Sequence, residues 1–131
     1  MLTNNYIKMC EQAEEIQDRW RKPFKSYIGD LYWQGEEYLM IPEACIYVTE
    51  IMFNPKDEHI WLPTQEQLQD MIFGKYTGIQ TITSAIEQFS KSKTGCDISI
   101  IGEMNELWLA FVYHEKWNKV WTGEKWVKAD D

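Results

Sequence analysis

Three cysteines and two histidines are the side chains of this 131-residue chain best suited to nucleophilic or metal chemistry. Cys10, Cys45 and Cys96 lie far apart, as do His59 and His114. A cysteine beside a histidine can form a nucleophilic pair, and clusters of both residue types bind zinc. However, no CxxC spacing or nucleophile motif is present, and an odd number of dispersed thiols does not indicate a disulfide framework. We therefore expect structural cysteines, a solvated His59, no metal and no cofactor.

Paired carboxylates are a second kind of residue that could do chemistry, as general acids and bases. Four such pairs occur, at residues 14–15, 36–37, 57–58 and 130–131. None is framed by the apolar residues that would raise a carboxyl pKa, so solvated faces or turns are the expectation. A glycine-rich phosphate loop is also missing from the sequence. These patterns predict a protein without catalytic residues.

The charge balance argues against direct binding to nucleic acid. The chain has 21 acidic and 13 basic side chains, a formal net charge of −8. Its main group of cations, at residues 19–25, is preceded by the acidic residues of 14–18. A phosphate backbone would be repelled by this surface, whereas a basic protein partner would be attracted. Plain solubility explains the same charge equally well.

Aromatic residues are the one feature above background, with seven Trp, seven Tyr and five Phe. One interpretation is packing in the core and at its edges. The other is a Trp-rich patch for a protein partner or a stacked base, because interface energy concentrates in Trp anchors. Each indole N–H also needs an acceptor, which argues against burying all of them. The candidates for partner binding are Trp61, Trp117, Trp121 and Trp126. Replacing Trp121 and Trp126 by alanine is expected to abolish partner capture without lowering the melting temperature.

The elements that position these residues are organised around a strand that leads directly into a capped helix, at residues 60–74. Pro63 ends the apolar run of the strand. Thr64 and Gln67 have the spacing of a capping box, in which each side chain accepts a hydrogen bond from the other residue's backbone. Gly74 is a suitable left-handed stop.

The remaining pattern predicts helices at both ends of the chain and strands between. Apolar spacing predicts a helix over residues 6–21, a hairpin with strands at 31–33 and 38–41, and a strand at 45–53 before a turn at 54–57. Further helices are predicted over residues 79–90 and 103–117, with a weak strand at 97–101. Residues 120–127 form either a tight hairpin or a tail that packs two indoles. The prediction is one α+β domain over residues 1–131, with three to four helices on a small, mostly antiparallel sheet.

The location expected for this chain is the cytoplasm. Residues 1–5 have neither the basic region nor the apolar region of a signal peptide. The longest apolar run, residues 107–113, is far too short to span a membrane. Its apolar residues surround the predicted helix on all sides, so this helix is expected to be central or half of an interface, and a homo-oligomer is compatible with the sequence.

The central stretch carries a resemblance to a known group of proteins. Its string Ile60-Trp61-Leu62-Pro63-x-Gln65-x-Gln67-Leu68-Gln69-x-Met71 resembles a motif of small uncharacterised proteins from phages and prophages of low-GC Gram-positive bacteria. The segments 15–20, 28–30, 106–112, 115–121 and 124–127 resemble other parts of those proteins. The usual motif has Arg and Asp where this chain has Thr64 and Glu66. The resemblance implies a phage accessory gene and carries no established activity.

Taken together, these features predict a non-catalytic phage or prophage accessory protein that binds another macromolecule in the host cytoplasm. A host defence or regulatory protein, whose nucleic-acid-binding face an acidic domain would block, is the expected partner. The alternative is a domain that binds or sequesters nucleotides by stacking them on indoles. An enzyme of unrecognised type is the third hypothesis.

Overall fold

A computed structural model describes residues 3–21, 31–34, 37–40, 59–73, 78–92 and 99–129. These residues form an α+β fold with antiparallel pairing, as predicted. They contain five helices, one more than expected, and two sheets instead of one. The chain divides into a larger unit, Met1–Met9 with Thr64–Asp131, and a smaller unit, Cys10–Pro63.

The helix predicted over residues 6–21 is two helices, α1 (Asn4–Glu11) and α2 (Glu14–Arg21). The break arises because the Cys10 carbonyl accepts hydrogen bonds from the Ala13 amide and the Gln17 side chain, both at 3.0 Å. The Glu14 amide instead donates to the carbonyl of Gln12, and α2 starts with an acidic first turn, which the helix dipole favours. The predicted apolar stripe is nevertheless confirmed, since all its members are buried: Tyr6, Met9, Cys10, Ala13, Ile16 and Trp20.

The smaller unit contains a three-stranded antiparallel sheet of order β2-β1-β3. Its strands are β1 (Leu31–Gln34), β2 (Glu37–Met40) and β3 (His59–Trp61). Gln34 pairs with Glu37, so the predicted hairpin is confirmed with a connection of residues 35–36. Strand β3 pairs with β1 in antiparallel fashion. The predicted strand at 45–53 and turn at 54–57 lie outside the described residues.

The capping box after β3 is present as predicted. The Thr64 amide donates to Gln67 Oε1 at 2.8 Å, and the Gln67 amide donates to Thr64 Oγ1 at 3.2 Å. Helix α3 (Gln65–Phe73) follows, with Leu68 fully buried. The expected stop at Gly74 lies outside the described residues.

Helix α5 is the centre of the larger unit. It spans Met104–Trp117, and α3 and α4 (Ile79–Ser90) both pack on it. Six consecutive residues of α5 are buried, from Trp108 to Tyr113, so the predicted central position is confirmed.

The weak strand predicted at 97–101 is wrong for residues 99–101, which form a turn and coil. Side chains occupy the backbone groups that a sheet would use. Asn5 Nδ2 donates to the Ile100 carbonyl at 3.0 Å, and the Gly102 amide donates to Glu106 Oε1 at 3.1 Å. Residues 97–98 lie outside the described part of the chain.

The chain after α5 forms a hairpin, which resolves the choice between a hairpin and a tail. Asn118 adopts a left-handed conformation, φ 52°, and reverses the chain. Strands β4 (Lys119–Trp121) and β5 (Trp126–Lys128) then pair in antiparallel fashion. Gly123, at φ 100°, supplies the conformation that the connecting turn needs, because a side chain there would be strained.

Candidate functional site

Trp61, one of the four partner-binding candidates, is held inside the smaller unit. Only 7% of this residue is exposed, and its ring stacks on Trp20 with centroids 6.2 Å apart. Gln17 fixes the strand at this point, because its Oε1 accepts from the Trp61 amide at 2.7 Å and its Nε2 donates to the Trp61 carbonyl at 2.9 Å. Trp61 therefore offers a partner very little surface.

The other three candidates come together around Tyr113 in the larger unit. Trp126 stacks on Tyr113 with centroids 4.2 Å apart, and Trp117 packs on the same tyrosine at 4.7 Å. Trp121 lies 5.2 Å from Trp126 and is only 4% exposed. The Trp126 indole donates to the carbonyl of Met9 at 3.1 Å. We call Tyr113, Trp117, Trp121 and Trp126 the aromatic cluster.

The sequence argument that the indoles cannot all be deeply buried holds for the described residues, but two buried indoles lack the acceptor that the argument requires. The Nε1 atoms of Trp61 and Trp121 are buried with no acceptor among the described residues. The expectation of an exposed indole is wrong for Trp121, which is 4% exposed, while Trp117 and Trp126 are half-buried. Partner binding by any of the four residues stays a prediction.

The residues suited to nucleophilic or metal chemistry form no site in the part of the chain that the structure describes. Cys10 is buried and packs as a small apolar residue. His114 Nδ1 is buried 3.9 Å from a carboxylate oxygen of Glu115, and its ring packs on Phe89. Across the described ranges, no three His, Cys, Asp or Glu side chains are grouped to hold a metal ion. Cys45, Cys96 and the His59 side chain are not among the described groups.

Glu106 is a buried carboxylate that the sequence analysis missed. Only 2% of the residue is exposed, although it lies in the first turn of α5. It accepts hydrogen bonds from the Thr3 hydroxyl at 2.5 Å, Asn5 Nδ2 at 2.7 Å and the Gly102 amide at 3.1 Å. These bonds tie the N-terminal residues of the larger unit to α5, so the role of Glu106 is structural.

An apolar groove lies beside α4 in the larger unit, and we call it the α4 groove. It encloses about 420 Å³ and is lined by Gln65, Gln69, Ile79, Ile82, Thr83, Ile86, Met104 and Trp108. Ile79 is 78% exposed and Met104 is 54% exposed, and these are the two exposed large apolar side chains among the described residues. Soluble proteins scatter single apolar residues on the surface, but a groove with two of them at its mouth is a typical interaction site.

Three exposed acidic residues stand next in sequence to lining residues of the α4 groove, and we call them the acidic rim. Glu66 and Asp70 follow the groove-lining residues Gln65 and Gln69 on α3, and Glu103 precedes Met104. All three carboxylates belong to exposed residues, and none is in an ion pair with another described residue. Neither α3 nor α4 contains a lysine or arginine. The groove therefore combines an apolar lining with neighbouring carboxylates that have no ion-pair partner in the described part of the chain.

A second depression, of about 350 Å³, lies where α3, α4 and α5 meet. Phe73, Phe89 and Phe111 line it, together with His114. The phenyl rings pack on one another, Phe73 stacked on Phe111 at 6.0 Å and Phe89 edge-on to Phe111 at 5.3 Å. Because these rings already pack on one another, they offer a partner little apolar surface. This depression is therefore a weaker candidate for a binding site than the α4 groove.

No protein-family model, curated protein or solved structure matches this chain. Within the described residues, no helix has the length and apolar character that crossing a membrane requires.

Ile79 and Met104 are the candidate functional residues that sequence reasoning missed. The sequence pattern places Ile79 on the apolar stripe of a helix together with Ile82, Ile86 and Phe89, and the three isoleucines do line one groove. The pattern shows which residues share a face but not how far the neighbouring elements cover that face. One signal in the sequence could have found Ile79. It is the first residue of its helix, and a side chain at a helix end is covered only if a neighbouring element extends as far as that end.

Proposed function

We propose that this protein acts without catalysis, by binding a protein partner in the α4 groove. The observation that carries the proposal is the exposure of Ile79 and Met104 at the mouth of an apolar depression. Apolar surface gains about 25 cal/mol per Å² when it leaves water, so a partner that covers both side chains is favoured. The depression supplies a concave surface in which a partner's side chains can anchor.

The charge of the chain supports a basic partner. The net charge of −8 steers a basic protein toward this surface over long range, and the rim carboxylates then lie beside the docked partner. A host defence or regulatory protein with a basic, nucleic-acid-binding face has this chemistry. The resemblance of residues 60–71 to a phage and prophage motif is in keeping with such a target.

The nucleotide-binding alternative has no supporting contact among the described residues. Trp61 stacks on Trp20, and Trp126 stacks on Tyr113, so the described indole stacks are intramolecular. The groove contains Trp108, but only 2% of that residue is exposed. We therefore propose the single function of protein binding.

Affinity capture from a lysate of a low-GC Gram-positive host tests this function, beside a thermal-shift screen with nucleotides. We expect one protein to be captured, to co-elute with the chain in size-exclusion chromatography and to release at high salt. A ligand present at 100 times its Kd stabilises a protein by about 2.7 kcal/mol, so a bound nucleotide would raise the melting temperature by several degrees. A nucleotide shift of that size without a captured protein would contradict the proposal.

A further inference from the structure

We propose that the α4 groove binds an amphipathic helix of the partner that carries lysine or arginine beside its apolar stripe. This inference rests on the proposed protein-binding function and specifies the partner's chemistry. Three features of the larger unit support it: the spacing of the apolar residues, the helical walls of the groove and the charge of its rim.

The apolar residues of the groove have a spacing that matches a helix. Ile79, Ile82 and Ile86 stand at positions i, i+3 and i+7 on α4, a row about 10 Å long at 1.5 Å per residue. Met104, the first residue of α5, lines the same groove and is 54% exposed. Apolar side chains with the same i, i+3, i+4 and i+7 spacing on a partner helix would pack against this row and Met104.

The walls of the groove are themselves helical, because its lining residues come from α3, α4 and the first turns of α5. A depression between helices receives the ridge of side chains of another helix, which is the usual mode of helix-in-groove recognition. A strand would need an open sheet edge, and α3, α4 and α5 offer none because their backbone groups bond within the helices.

The rim specifies the charge of the partner helix. Glu66 and Asp70 are one helical turn apart on α3, and Glu103 stands before α5. Since none of the three is paired with another described residue, a cation of the partner would replace no existing ion pair. Positive side chains flanking an apolar stripe would lie against these carboxylates.

The same charges argue against other occupants. A second copy of this chain would bring a second acidic rim and a net charge of −8 to the contact, which costs Coulomb repulsion. Nucleic acids and anionic lipid surfaces are repelled for the same reason. A basic helix is the occupant that satisfies both the apolar lining and the acidic rim.

The test uses a displayed library of random peptides about 18 residues long, long enough for five helical turns, selected on the full chain. We expect enriched peptides to have apolar residues at i, i+3 or i+4, and i+7, with lysine or arginine at adjacent positions. Synthetic copies of the enriched peptides are then titrated by fluorescence anisotropy at low and physiological salt.

Two double variants locate the binding site. Ile79→Ser with Met104→Ser should weaken peptide binding by about 10-fold or more, as for the loss of central apolar anchors. Glu66→Lys with Asp70→Lys should weaken it about 5-fold and reduce its salt dependence.

Matched controls keep these results specific to the groove. Gln80→Ser with Gln88→Ser shortens two exposed residues of α4 that do not line the groove, and should change binding less than about 2-fold. Glu11→Lys with Asp18→Lys makes the same change in net charge on exposed residues of α1 and α2. This variant should therefore weaken peptide binding only through the change in net charge, and so by less than the Glu66→Lys, Asp70→Lys variant.

Several results would overturn the inference. In the selection, they are the absence of enriched peptides, enriched peptides without a helical apolar stripe, and a preference for acidic residues beside that stripe. In the titration, it is equal peptide affinity for the wild type and for the Ile79→Ser, Met104→Ser variant. Ultracentrifugation that shows wild-type dimers, with monomers for that variant, would assign the groove to a second copy. Capture of the same lysate protein by wild type and by the variant would overturn the groove assignment in both proposals, while protein binding as such would stand.

Discussion

Large apolar residues lie at both ends of helix α5, but they are buried at one end and exposed at the other. At its C-terminal end, the left-handed Asn118 turns the chain back, and Trp121 of the following hairpin is buried to 4% exposure. At its N-terminal end, Met104 and the neighbouring Ile79 stay in solvent beside the α4 groove. The difference shows that a high density of tryptophan does not by itself give exposed apolar surface. Exposure depends on which neighbouring elements cover each side chain.

Trp121→Ala should have the largest effect on stability. Removing a buried Trp side chain costs about 3–5 kcal/mol, because transfer energy is lost and a cavity remains. This reverses the expectation from sequence that alanine at Trp121 and Trp126 would leave the melting temperature intact. Urea unfolding measures the change, and a loss below about 1 kcal/mol would contradict the burial described at this end of α5.

Glu106→Ala should cost somewhat less, about 3 kcal/mol, because it leaves donors of Thr3, Asn5 and Gly102 without their buried acceptor. Glu106→Gln retains an acceptor and should recover part of the loss. Glu103→Ala, at an exposed position three residues earlier, is the control and should stay within about 0.5 kcal/mol. Equal losses for Glu106→Ala and Glu103→Ala would show that the tie between the N-terminal residues and α5 has no energetic role.

Thr64→Ala should cost about 1 kcal/mol, the usual effect of losing an N-cap. The mutation removes the acceptor for the Gln67 amide at the start of α3, which forms one wall of the groove. Thr81→Ala, at an exposed position inside α4, provides the matched control. An unchanged urea midpoint and slope for Thr64→Ala would mean that the capping box contributes nothing to the helix.

Ile79→Ser and Met104→Ser should have the smallest effect, within about 0.5 kcal/mol each, because both side chains already lie in solvent. This outcome would sharpen the contrast with Trp121, since residues of similar apolar character would differ by several kcal/mol. Thermal and urea unfolding of each variant measure the effect. A loss above about 2 kcal/mol would place these side chains in the core and remove the basis for a binding surface.

The sequence by itself determined the features that depend on residues close together in the chain. The capping box needs only the three-residue spacing of Thr64 and Gln67, and the first hairpin only two short runs around a brief connection. The apolar stripe of residues 6–20 follows from helical periodicity and is buried as predicted. The α+β class follows from the order of these local patterns.

Only the tertiary structure decided the features that depend on distant residues. The Gln17 amide binds the carbonyl of Cys10 beside the break between α1 and α2 and also holds Trp61, 44 residues away. Glu106 is buried because Thr3 and Asn5, more than 100 residues away, supply its hydrogen bonds. The burial of a side chain depends on every element that packs on it. Periodicity within one helix carries no information about contacts with elements distant in the sequence. That is why the pattern of tryptophans suggested an exposed surface at Trp121, while the exposed apolar residues are at Ile79 and Met104.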